Sequence, residues 1–181
     1  MGDPDAAGEY VISVDIGCQP SFSGSAEIVI QTENMTLVVF RALSVKLSDS
    51  GCYDDLGFAV VECERCSRSQ FGYPNDEGLP EHPLYHQGLS DADGIAEVIN
   101  SSWAAALEKQ METSARRIWG SSYDEAYSVP EGENQRFAGR HFIFTFKENT
   151  FECIADSLKL HLIKISYQEA ISFINQRMAD E

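Results

Sequence analysis

Basic residues are scarce in this chain: 13 lysines and arginines stand against 29 aspartates and glutamates, a formal net charge of −16 over 181 residues. A nucleic acid is a polyanion, and binding it needs clustered cations that release its counterions; an anionic membrane surface asks for the same. Cations thinly spread along the whole sequence supply no such patch, so neither partner is expected. Long hydrophobic runs are missing too. No apolar stretch reaches the roughly 18 residues of a membrane span, and the opening MGDPDAAGEY is acidic and polar, unlike a secretory leader. The five cysteines are odd in number and irregularly spaced, which does not fit a secreted disulfide framework. A reduced, cytoplasmic setting is therefore expected. The sequence shows no phosphate-cradling glycine loop and no adjacent nucleophile–base pair, and no motif asks for a cofactor.

What is present belongs to a globular protein. A hydrophobic content of 43%, with 10% aromatics, is enough for one domain over residues 1–181 to bury a core without staples. Residues 1–8 read as a frayed tail. Tyr10, Ile12, Val14 and Ile16 alternate with Val11, Ser13 and Asp15 at the period of a half-buried strand. Residues 26–31 and 36–45 are two β-branched runs around Thr32-Glu33-Asn34-Met35, a hairpin signal, and residues 57–63 form a short apolar strand. Phe142, Phe144 and Phe146 share a strand face, residues 147–150 turn the chain, and residues 151–155 return as a second hairpin. Leu158, Leu160 and Leu162 continue in strand register.

Two helices are expected. Ile95, Val98, Ile99, Ser102, Trp103, Ala106, Leu107, Gln110 and Met111 fall on one face at helical spacing, with Asp91 or Asp93 as the cap and an end near Ile118. Ser166 and Glu169 form a capping box before the stripe of Tyr167, Ala170, Ile171, Ile174 and Met178. The polar stretch 120–139 reads as a mobile loop. Hairpin spacing rather than βαβ spacing predicts an α+β fold, with a curved antiparallel sheet, one central helix and a short C-terminal helix.

Chemically capable side chains concentrate in GFAVVECERCSRSQFGYPNDEGLPEHPLYHQGL, residues 57–89. Cys63, Cys66, His82 and His86 have the spacing C-x2-C-x15-H-x3-H, near that of a two-Cys two-His zinc site. Prolines 80 and 83 flank His82 and bar the helix that would carry such a histidine pair, so packing cysteines and loop histidines are the expected reading, and zinc the lesser alternative. A redox C-x-x-C needs a helix to follow it, and SRSQFGYPN does not start one. Asn75, Asp76 and Glu77 form a turn whose side chains can bond their own backbone; with His82 they could also run acid–base chemistry or hold a divalent cation. His141 and His161 read as structural histidines, Cys153 as core filling, and Trp103 as core on its helix.

Four pieces, FGYPNDE (71–77), HPLYHQGL (82–89), EVINSSW (97–103) and HFIFTFKENTFECIA (141–155), resemble a family of small bacterial proteins without an established activity. The similar region spans roughly residues 56–155. The resemblance implies no reaction, cofactor or catalytic residue. It implies that positions like Cys66 and His82 recur, whereas Cys63 and His86 do not, which weighs against a four-ligand zinc site. The chain departs from that pattern at Glu81, where glycine is usual, and at Lys147-Glu148, where the family often has His-Asp.

The loop is expected to lie over the sheet beside the central helix and the 147–150 turn, gathering Asn75, Asp76, Glu77, His82, Tyr85, Asn100, Trp103 and Glu152 into one polar patch. The expected function is a non-catalytic binding or interaction domain for a protein or small-molecule partner, with its site at residues 71–89. The alternative is a small hydrolase or metal-dependent enzyme using Asp76, Glu77 and His82.

Overall fold

The two longest β-rich runs pair with each other. β4 (Thr36–Leu47) and β5 (Tyr53–Glu64) run antiparallel, with Thr36 opposite Cys63 and Leu47 opposite Tyr53. β5 also pairs with β10 (Ser157–Ile163), and the other edge of β4 takes β2 (Gln19–Pro20) and β3 (Ile28–Gln31). A second sheet holds β1 (Tyr10–Ser13), β7 (Ile95–Ile99), β8 (Arg140–Thr145), β9 (Thr150–Ala155) and β6 (Arg68–Gly72), in that order. The computed structural model describes residues 8–23, 27–92, 94–120, 122, 138–164 and 166–179. Among them, these antiparallel strands and the helices α1 (Ser102–Trp119) and α2 (Tyr167–Ala179) make an α+β fold. No described helix is long and apolar enough to cross a membrane.

Strand alternation decides the layers, because successive side chains point to opposite faces. Val38, Phe40, Val61 and Cys63 of the β4–β5 sheet meet Ile95, Phe142, Phe144, Phe151 and Cys153 of the β7–β9 sheet in the main core. Phe144 packs edge-on against both Phe40 and Phe151, at centroid distances of 6.3 and 5.7 Å. Burying each such ring stabilises the fold by roughly 2–3 kcal/mol. On the outer face of the first sheet, Leu37, Val39 and Val60 meet Ala170 and Ile174 of α2. On the outer face of the second, Val11, Ala96, Val98 and Ile143 are covered by Leu84 and Leu89, while Leu107 and Trp103 of α1 pack near Ile154. Both sheets are thus buried on both faces, which is why their central strands read as nearly continuous apolar runs.

One expectation is corrected. Residues 95–99 do not open the central helix; they form β7, paired with β1 on one side and β8 on the other. The short run IAEVI satisfies both periods, and only its two flanking strands decide between them. Asn100 then adopts a left-handed conformation (φ 56°) that breaks the strand, and Ser101, rather than Asp91 or Asp93, caps α1 by accepting the Ala104 N–H at 3.1 Å. A second difference is at residues 68–72, for which no strand was expected and which form the edge strand β6, whose mostly exposed polar residues give little period-2 signal. The hairpins at 32–35 and 147–150 form as expected, as does the donation from Glu169 N–H to Ser166 Oγ at 3.3 Å, one half of the capping box. The expected frayed tail and mobile loop fall almost wholly outside the described residues.

Candidate functional site

The 73–92 segment covers the outer face of the second sheet, and short-range bonds shape it. Its Tyr73–Pro74 bond is cis. Thr150 Oγ1 donates to the Pro74 carbonyl at 2.7 Å, and the Asp76 N–H donates to the Lys147 carbonyl at 3.0 Å, tying the segment to the β8–β9 turn. Asn75 Oδ1 accepts the Gly78 N–H at 2.9 Å, and three single 3₁₀ turns follow, at Leu79–Glu81, Tyr85–Gln87 and Leu89–Asp91. Between the last two, Gly88 sits at φ 111° with its α-carbon so close to β1 that a Cβ would lie 2.6 Å from the Val11 carbonyl oxygen. Only glycine fits there. With Leu84 and Leu89 anchored on the sheet, His82 points down at it.

Beneath His82 lies Glu152, a buried carboxylate in the apolar strand β9. Its neighbours across the sheet are Ile143 on β8 and Gln70 on β6. Gln70 Nε2 donates to Glu152 Oε1, His82 Nε2 lies 3.4 Å from that same oxygen, and His141 Nε2 lies 2.9 Å from Oε2. The protons can be assigned from the remaining bonds. His82 Nδ1 accepts the Leu84 N–H at 3.1 Å, so Nε2 carries the proton that faces Glu152. His141 Nδ1 is 2.8 Å from Ser101 Oγ, which also accepts the Ala104 N–H, and His141 Nε2 faces the Glu152 carboxylate and donates to it. Burial by itself would raise the Glu152 pKa, but the hydrogen bonds from His141, His82 and Gln70 outweigh it and hold the group down at about 2. The result is a desolvated carboxylate, ionised at neutral pH and held by three donors.

This network forms the floor of a cleft of about 440 Å³. Its walls are Tyr73, Pro74, Pro83 and Leu84 from the loop and Ser102 and Trp103 from α1, with Glu9 and Glu81 among its lining residues. Trp103 stands edge-on to His141, with ring centroids 5.0 Å apart. The Glu9 carboxylate accepts the Ser102 N–H at 2.8 Å and so complements the positive end of α1. Tyr73 donates its hydroxyl to Glu81.

Of the expected patch, His82, Trp103 and Glu152 line the cleft. Asp76 instead pairs with Lys147 at 2.7 Å and lines a separate cavity of about 190 Å³ with Leu79, Thr145 and Phe146. Asn75 folds back on its own turn, Glu77 is exposed, Tyr85 packs edge-on against His86 at 5.1 Å, and Asn100 makes the turn between β7 and α1. Asp76, Glu77 and His82 are therefore not gathered as one acid–base set. Cys63 faces the core between the sheets, whereas His82 meets Glu152 on the opposite face of the second sheet, so Cys63, Cys66, His82 and His86 are not brought together either.

His141 is the main residue the sequence pattern passed over. Its signal was present: a hairpin closing at Thr145 and Thr150 puts Ile143 opposite Glu152, so His141 and Glu152 are diagonal neighbours on one face. Glu9, Gln70 and Ser101 join through contacts with no local signature. No protein-family model, curated protein or solved structure matches this chain.

Proposed function

We propose that the chain is a non-catalytic binding domain whose ligand is a small organic cation, an amine or guanidinium compound, held in the cleft over Glu152. The observation that carries this reading is the sign of the lining. Among the described residues around the cleft the carboxylates are Glu9, Glu81 and Glu152, and no lysine or arginine contributes. Gln70, His82 and His141 hydrogen-bond Glu152 and hold it ionised at the floor of the cleft. Low-dielectric walls focus such a field, and the chain's overall acidity steers cations toward it in a salt-dependent way. Trp103 and Tyr73 offer aromatic faces to a cation, and the cleft volume falls within the range of small-molecule sites.

The test is thermal-shift and calorimetric titration with putrescine, agmatine and tetramethylammonium, with succinate as the anionic control. Saturable binding of the cations, lost in the Glu9→Gln/Glu81→Gln double variant and weakened in Trp103→Ala, is the expected result. Equal response to succinate, or unchanged cation binding in the double variant, overturns the reading.

One observation favours a second reading. Ser101, His141 and Glu152 are linked in series at 2.8 and 2.9 Å, the order of groups that activates a serine for acyl transfer. Against it, Ser101 is buried, caps α1 through its Oγ and is not among the cleft's lining residues. A fluorophosphonate probe separates the two. Labelling of Ser101, abolished by Ser101→Ala, would make the chain a hydrolase; an unlabelled chain with intact cation binding supports the binding domain.

A further inference from the structure

The opposite face of β9 carries a second group of capable side chains, unrelated to the cleft. Successive strand residues point to opposite faces, so Glu152 lines the cleft while Cys153 enters the core between the sheets. There it meets Cys63 at the end of β5, both almost fully buried in one cluster, with Cys66 packed against that cluster from the β5–β6 crossover. The crossover is held in place by the left-handed Arg65, which pairs with Asp156, and by the Ser67 N–H, which donates to the Ile154 carbonyl at 2.8 Å. This brings the Cys66 sulfur alongside β9. Cys153 lies beside both Cys63 and Cys66 in this cluster, and the Cys66 thiol, close to the Thr36 side chain, donates to the Arg68 carbonyl oxygen at 3.4 Å.

The three thiols are not equivalent. Cys63 and Cys153 are buried, whereas Cys66 is only partly buried, so a solute from water can reach it. The neighbouring Cys153 thiol is the largest influence on Cys66; together with the Thr36 side chain and the Arg68 backbone it outweighs burial and brings the Cys66 thiol down to about 6. The same contacts, with Cys63 first and then Cys66, push Cys153 upward, so it keeps its proton. An accessible thiolate beside a protonated thiol is the pairing that redox-sensing cysteines use.

We propose that Cys66 is an oxidative modification site for small peroxides, with Cys153 as its resolving partner, the product being a Cys66–Cys153 disulfide. The Cys66 thiolate attacks one peroxide oxygen and the O–O bond breaks. That oxygen stays on sulfur as a sulfenic acid, and the other leaves as hydroxide and takes up a proton. The Cys153 sulfur then attacks the Cys66 sulfur; the S–S bond forms, the S–O bond breaks, and the oxygen leaves as water with the Cys153 proton. Two electrons pass from the thiol pair to the peroxide.

The experiment uses the full chain with the exposed Cys52 replaced by serine, treated at pH 7 with a small excess of hydrogen peroxide. Loss of two hydrogens in the intact mass and a non-reduced proteolytic fragment joining Cys66 to Cys153 are expected, both abolished by Cys66→Ser. In Cys153→Ala, dimedone should trap a sulfenic acid at Cys66. Because Cys153 sits deep in the core, a measurement on the unmodified pair guards against a misfolded variant: iodoacetamide should alkylate Cys66 faster than Cys18, Cys63 or Cys153, with a rate that rises through pH 6. An intact mass without that loss, a disulfide that excludes Cys66, or alkylation of Cys66 no faster than of the buried thiols overturns the proposal.

Discussion

Glu152 and Asp76 both sit where the 73–92 segment meets the β8–β9 hairpin, and both are carboxylates whose pKa is held low by hydrogen-bonding partners, yet the molecule uses them differently. Asp76 is an exposed group paired with an exposed Lys147, and that hydrogen bond is the main cause of its shift. Water can replace either partner, and salt screens the pair. Glu152 is buried, its shift is a contest between desolvation and three donors, and each donor comes from a different element: β6, β8 and the loop. A largely desolvated carboxylate that lost a donor would be compensated by water less readily than an exposed one. The comparison teaches that the loop is attached to the hairpin at two points, one replaceable and one that ties the architecture to the cleft.

The difference can be broken most directly at His141. His141→Ala leaves a Glu152 oxygen without its donor and the Ser101 hydroxyl without one of its two partners, and should lower unfolding stability by about 3–5 kcal/mol in urea titrations. That is a large share of the roughly 5–15 kcal/mol typical of a whole domain. A loss no larger than that of Asp76→Asn would erase the contrast. The pH dependence comes next. Because the folded Glu152 pKa lies at about 2, below its usual 4.5, its contribution is fully present above pH 4.5 and is lost as the pH falls toward 2. The amount is roughly 3 kcal/mol, and Glu152→Gln should flatten the stability curve across that window. His82→Ala removes a longer contact, 3.4 Å, and the acceptor of the Leu84 N–H, and should cost about 1–2 kcal/mol. Smallest of all, Asp76→Asn should leave the urea midpoint unchanged at moderate salt; a clear drop would show that the exposed pair also holds the loop.

The residues differ in how much of this was legible beforehand. Phe142, Phe144 and Phe151 announced the 147–150 hairpin by alternation, and that hairpin's register already places His141 diagonal to Glu152. A polar residue in an otherwise apolar FECIA strand was a further sign. The run IAEVI was ambiguous because five residues fit a helix face and a doubly buried strand equally well, and its two partner strands lie far away in sequence. Strand β6 was hidden because an edge strand with exposed polar side chains has no apolar face to reveal it. The C-x-x-C spacing pointed to Cys63 and Cys66 as a pair, but the third thiol, Cys153, lies on the other sheet.

By itself the sequence determined the net acidity, the α+β class, the hairpins, the start of α2 and the loop in which His82 is set between prolines. These follow from patterns a few residues long, where backbone geometry and local bonding leave little choice. Only the tertiary structure decided which carboxylate is desolvated, which histidines serve it and which cysteines meet. Gln70 and Glu152 touch across 82 residues of chain, and Ser101 and His141 across 40. Burial and proton placement depend on those crossings, because desolvation and hydrogen bonding act between groups that are close in space, whatever their separation along the chain.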